Sequence, residues 1–131
     1  GNKAGEYDRL VEEINRCKMY EYVKLMGSRV NPYPYIQSAD VLVIPSSYEA
    51  CPRVVAEAHI LKVPVISADY SSAPEFVHHG IDGFVGTIDE QSHFIIEMMQ
   101  GTEESKIVVR NCKNFKLNTD LILNQLLKLF S

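Results

Sequence analysis

At 131 residues and 14.8 kDa the chain has the length of one domain, and 46% apolar with 23% charged residues is a globular balance. Lysine plus arginine number 13 against 17 aspartates plus glutamates, a net charge of −4. That charge argues against nucleic-acid binding, which needs a basic surface. No stretch reaches the roughly 18 apolar residues of a spanning helix, and nothing in the opening residues reads as a secretion leader. Three cysteines (Cys17, Cys51, Cys112) without C-x-x-C spacing fit neither a disulfide framework nor a zinc site, so a reducing, cytoplasmic setting is expected.

Leu10, Val11, Ile14 and Cys17 recur at helical spacing and predict a helix over residues 6–19. Residues 22–26 read as a strand stopped by Gly27. The prolines of Asn31-Pro32-Tyr33-Pro34 mark a loop, with one helical turn over 35–38 and with Tyr33 and Tyr35 read as loop packing. The continuous apolar run Val41-Leu42-Val43-Ile44 predicts a strand covered on both faces. Pro52 starts a helix, where its missing N–H is an orphan in any case, and Val54, Val55, Ala58 and Leu61 form the buried stripe. A strand over 63–67, a short helix over 74–78, a turn between Gly80 and Gly83 and a brief strand over 83–85 follow. Helices are expected over 90–100, 102–112 and 118–130.

Strand, helix, strand, helix is the order that builds an α/β fold, a Rossmann-like parallel sheet with helices on both faces, in a single domain over 1–131. Only four strands are predicted and the chain opens on a helix, whereas a doubly wound sheet normally begins with a strand. The expectation is a fragment missing its first strand or strands.

The segment richest in chemistry runs from Ser38 to Ala58: a buried strand, a tight polar loop and a helix. In open α/β sheets ligands bind at the carboxyl ends of the strands, and a helix N-terminus offers free N–H groups and a positive dipole to a phosphate. Glu49 stands before this helix and Glu57 about a turn and a half inside it. A carboxylate can accept two vicinal hydroxyls, as on a ribose or hexose. The bland alternatives are a loop charge for Glu49, a solvated helix position for Glu57 and a solvated cation for Arg53. Adjacent His78 and His79 point apart on a helix and read as surface or packing groups. Cys51 reads as a small pocket-lining group, Glu75 equally as a first-turn helix charge or a ligand contact, and Asp69 as a turn cap with a ligand contact as the alternative.

Glu49 and Glu57, with seven residues between them, form an E-x₇-E pattern. Around it stand Ala39-Asp40, Pro45-Ser46, Glu57-Ala58, Pro64-Val65-Ile66, Pro74-Glu75, His79-Gly80 and Gly83-Phe84. In this order and spacing they resemble the carboxyl-terminal, donor-binding domain of the family-four retaining glycosyltransferases, which have the two-domain GT-B architecture. The resemblance runs from about Gly1 to Val85, with a generic helical tail beyond. It implies that Glu57 binds the ribose hydroxyls of the nucleotide, and that Glu49 faces the donor sugar as the catalytic carboxylate. Backbone amides of Ala50, Cys51 and Arg53 would hold sugar hydroxyls and the diphosphate; Pro52 has no N–H to give. The loop Ser28-Arg29-Val30 would meet the base. Lys62 stands where the family usually has glycine.

The resemblance further implies transfer of a hexose from a nucleoside diphosphate sugar, a UDP-sugar favoured, to a saccharide or lipid-linked acceptor with retained configuration. Bacterial surface polysaccharide synthesis is the expected setting. No cofactor and no metal are expected, the nucleotide sugar being a substrate. The family's diphosphate-binding Arg/Lys pair and its amino-terminal acceptor domain have no counterpart within residues 1–131. The chain alone is therefore expected to be inactive, and membrane association, peripheral at the inner face, to lie with the missing part. A sugar-nucleotide epimerase of the same architecture and a non-catalytic nucleotide-sugar-binding module are the competing functions.

Overall fold

A computed structural model describes residues 3–27, 31–45, 52–69, 73–115, 124, 127 and 128. It divides into two compact units, residues 1–31 and 32–131. In the first, helix α1 (Lys3–Arg16) carries the Arg16–Glu13 ion pair and ends where Lys18 turns left-handed at φ +56°. The amides of Lys18 and Met19 donate back to the carbonyls of Asn15 and Ile14, so the last carbonyls of the helix are satisfied.

Residues 22–26 are not a strand. The amides of Tyr22 and Val23 both donate to the carbonyl of Met19, and Tyr22 is 78% exposed. Aromatic and β-branched residues favour strands only where a neighbouring ladder and a packed face receive them.

The second unit is built on a parallel sheet in the order β1-β2-β3: β1 (Leu42–Ile44), β2 (Val65–Ala68) and β3 (Gly83–Gly86). Helices α2 (Tyr33–Ser38), α3 (Pro52–Ile60), α4 (Ala73–Phe76), α5 (Ile88–Gln100) and α6 (Glu103–Lys113) alternate with the strands and follow them. Because side chains alternate along a strand, each strand serves two cores. Leu42, Ile44, Val65 and Val85 face one cluster with Ile36 of α2, Val55 and Ala58 of α3, and Phe76. Val41, Val43, Ile66 and Phe84 face the other, with Phe94 of α5 and Val108 and Cys112 of α6. This is the expected Rossmann-like α/β fold with helices on both faces. Burying a side chain such as Ile66 or Phe84, which are 0% and 2% exposed, contributes about 1.5–3 kcal/mol each.

The strands lie within two residues of their predicted positions. Helix α5 starts at Ile88 rather than Glu90, because Thr87 and Glu90 form a reciprocal capping box: the Glu90 amide donates to Thr87 Oγ1 and the Thr87 amide to Glu90 Oε1. Helix α4 covers 73–76 rather than 74–78, since the backbone after Phe76 turns to pair with Asp82. The helix predicted over 118–130 falls almost wholly outside the described residues.

Candidate functional site

Helix α3 begins at Pro52, eight residues after β1 ends at the carboxyl edge of the sheet. Val55 and Ala58 turn into the core. Arg53 and Glu57, four residues apart and therefore on one face, are exposed and partly buried respectively. The other predicted site residues, Glu49, Ala50, Cys51, Ser28, Arg29 and Val30, lie outside the described residues.

The carboxylate of Glu57 has a partner that the sequence does not announce. Tyr33, on the first turn of α2, donates its phenolic O–H to Glu57 Oε1 at 3.0 Å. Helix α2 is short, but Ile36 is buried against Val55 and Ala58, which fixes α2 on α3. The prolines at 32 and 34 restrict its entry. The bond to the carboxylate, and then its negative charge, push the Tyr33 phenol above its ordinary pKa; the positive charge of Arg53 opposes this. Tyr33, Arg53 and Glu57 thus form one polar group on the α2–α3 face. Nothing in the spacing signals the contact, because 24 residues separate Tyr33 from Glu57; the proline-flanked tyrosine pair was the one local cue.

Helix α3 ends in a tight reversal. Lys62 is left-handed at φ +66°; its amide donates to His59 O at 3.0 Å and the next amide, of Val63, to Ala58 O at 2.8 Å. These paired bonds define a Schellman turn, whose left-handed position glycine fills without a Cβ penalty. Lys62 stands at that left-handed position, and the positive φ supplies the physical reason for a glycine there.

Downstream, Asp82 organises the loop between α4 and β3. Its carboxylate accepts from the His78 amide at 2.8 Å and lies 2.7 Å from His78 Nδ1. Its carbonyl accepts from His59 Nε2 at 3.2 Å and lies 3.5 Å from Cys112 Sγ. Desolvation pushes His59 below its ordinary pKa, with Asp82 opposing and His78 reinforcing the shift. Burial pushes the Cys112 thiol up to about 12, so it stays protonated and inert. His79 takes a different role from His78: its Nδ1 accepts from the Val85 amide at 3.0 Å, and its ring stands edge-on to Phe84 and Phe94. Asp69 takes part through its backbone, its amide donating to Gly86 O at 3.2 Å. Among the described residues, no three His, Cys, Asp or Glu side chains converge as a metal site, and no helix is long and apolar enough to cross a membrane.

A three-stranded parallel sheet covered on both faces, with polar side chains gathered on the helix that follows a strand's carboxyl end, defines a Rossmann-like α/β domain. The family described as glycosyl transferases group 1 matches residues 1–100, and the chain belongs to it.

A relative in Escherichia coli is a UDP-Gal:alpha-D-GlcNAc-diphosphoundecaprenol alpha-1,3-galactosyltransferase, 27% identical over 96 residues, which are 72% of this chain and 25% of that protein. A Vi polysaccharide biosynthesis protein of Salmonella typhi is 27% identical over 85 residues, 65% of this chain and 14% of that one. The crystal structure of Anabaena HepE in complex with UDP superimposes with a TM-score of 0.71 at 28% identity, covering 82% of this chain and 32% of that chain. The chain therefore spans a quarter or less of these curated relatives and about a third of the solved structure.

Proposed function

We propose that the chain forms the donor-nucleotide-binding part of a retaining glycosyltransferase. The enzyme would move a hexose from a nucleoside diphosphate sugar, a UDP-sugar favoured, to a saccharide or lipid-linked acceptor in bacterial surface polysaccharide synthesis. The observation that carries this reading is the Glu57 carboxylate, partly buried on the helix that follows β1 and held by a hydrogen bond. A fixed carboxylate at that edge of a Rossmann-like sheet is suited to accept two vicinal ribose hydroxyls. Family membership, the UDP complex of the HepE neighbour and the names of the polysaccharide-synthesis relatives support it.

On this reading the donor lies across the start of α3, with its diphosphate near the helix N-terminus, where unpaired amides and the dipole favour negative charge. Glu49 then serves the donor sugar as the catalytic carboxylate and Glu57 the ribose, while the amides of Ala50, Cys51 and Arg53 serve the sugar hydroxyls and the diphosphate, and Ser28, Arg29 and Val30 the base. The acceptor hydroxyl attacks from the face the diphosphate leaves, and the departing diphosphate takes its proton. No metal is needed in this scheme. Cations that offset the charge developing on the leaving group, and the acceptor-binding wall, come from a preceding amino-terminal domain, so residues 1–131 alone transfer no sugar. Cytoplasmic placement follows from the use of nucleotide sugars, with any peripheral membrane contact made by that other domain.

The test is calorimetric titration of the full-length protein with UDP, GDP and their sugars. Saturable binding of at least one of them is expected. A folded protein that binds none overturns the reading.

A further inference from the structure

The Tyr33–Glu57 contact has a chemical consequence that rests on the donor-binding reading of Glu57. A glutamate side chain turns about three bonds, and a ribose diol is gripped only when the carboxylate plane faces both hydroxyls. Tyr33 restricts that freedom. Its hydroxyl donates to Oε1 at 3.0 Å, a bond strengthened by the negative charge of its acceptor and using one lone pair of that oxygen. The tyrosine is itself held, because α2 is anchored on α3 through buried Ile36. Tyr33 is 46% exposed, so the contact lies where a ligand can reach it.

We propose that Tyr33 is a positioning residue for the donor: by donating to Glu57 it orients the carboxylate for the ribose diol and makes the site select ribonucleotides over 2′-deoxyribonucleotides. Loss of the phenolic hydroxyl leaves Glu57 in place but removes this restraint on its carboxylate. The penalty then falls on the ligand that uses both hydroxyls, and much less on one that offers a single hydroxyl.

The experiment titrates the full-length wild type, Tyr33→Phe and Glu57→Gln with UDP and with 2′-deoxy-UDP. The wild type is expected to favour UDP. Tyr33→Phe should bind UDP about three- to tenfold more weakly, as for loss of one hydrogen bond, while 2′-deoxy-UDP changes less, so that the ratio of the two affinities falls. A Tyr33→Phe protein with the wild-type ratio overturns the inference, whatever its thermal stability, because a structural role alone would weaken both ligands equally. If Glu57→Gln lowers the ratio and Tyr33→Phe does not, the donor reading stands and the role of Tyr33 falls. A wild type that does not distinguish the two nucleotides removes both.

Discussion

Lys62 carries the left-handed turn that ends α3, at φ +66°, where an L-residue is disfavoured by roughly 1–2 kcal/mol. Glycine removes that penalty but gives back part of it through the greater freedom of the unfolded chain. Lys62→Gly should therefore stabilise the protein by about 0.5–1 kcal/mol in chemical unfolding, while Lys62→Ala, with the same Cβ, should gain nothing. Equal stabilities of the two variants would contradict the turn geometry. The sequence showed that a family glycine was absent here but not the backbone angle that makes glycine useful.

His59 gives a second residue-scale expectation. Desolvation holds its folded pKa below the ordinary value of about 6.5. Between the two values the unfolded chain binds a proton that the folded chain does not, so stability rises with pH up to about 6.5 and is lost as pH falls below it. The melting temperature should drop on acidification from pH 7 to pH 5.5, and less so in His59→Gln; identical slopes would rule out this assignment. Asp82 and His78, the titratable groups facing His59, are present in both proteins, so the comparison isolates the one ring.

Among the elements, β3 is defined by how closely it approaches β2. A Cβ on Gly83 would lie 2.0 Å from the Val65 carbonyl oxygen and 2.8 Å from Val77 Cγ1. A backbone oxygen cannot swing away as a side-chain tip can, so Gly83→Ala should cost about 3 kcal/mol, the upper part of the overpacking range, or prevent folding. Unfolding within about 0.5 kcal/mol of the wild type, the range of neutral surface changes, would show that the strands can separate without penalty. This strand is legible from Gly83 and Phe84, because a turn-forming glycine followed by aromatic and β-branched residues is a local signal. Residues 22–26 carried a similar composition and are not a strand, since strand formation is decided by partners that no local window contains. The start of α5 differs from expectation for another reason: the Thr87–Glu90 capping box, itself a pattern in the sequence, sets the helix start at Ile88.

For the whole molecule, the order of strands and helices was legible because each β-branched run is short and each amphipathic stretch long. The two-sided core follows from the same pattern, with odd and even strand positions dividing between the clusters. Less legible was the part played by the chain beyond the motifs. Helix α6 read as a generic tail, yet its Val108 and Cys112 are 0% and 2% exposed and close the core around Ile66 and Phe84. The candidate site divides in the same way. Glu57 and the helix that carries it could be read from the E-x₇-E pattern and Pro52, whereas Tyr33 enters only through packing of α2 on α3.

The central claim is that two glutamates of one short segment serve different parts of one donor, Glu57 the nucleotide and Glu49 the reacting sugar. A hydrogen bond to a charged group contributes about 1.5–3 kcal/mol, so Glu57→Gln should lose roughly ten- to hundredfold in UDP affinity. Glu49→Gln should keep that affinity nearly intact and lose turnover, because an interaction that strengthens at the reacting sugar shows in kcat. The most direct measurement determines, for both variants of the full-length protein, UDP affinity by calorimetry and turnover of the UDP-sugar. Loss of UDP affinity in Glu57→Gln beside loss of turnover alone in Glu49→Gln is the predicted result. The reverse pattern, or unchanged UDP affinity in Glu57→Gln, would contradict it.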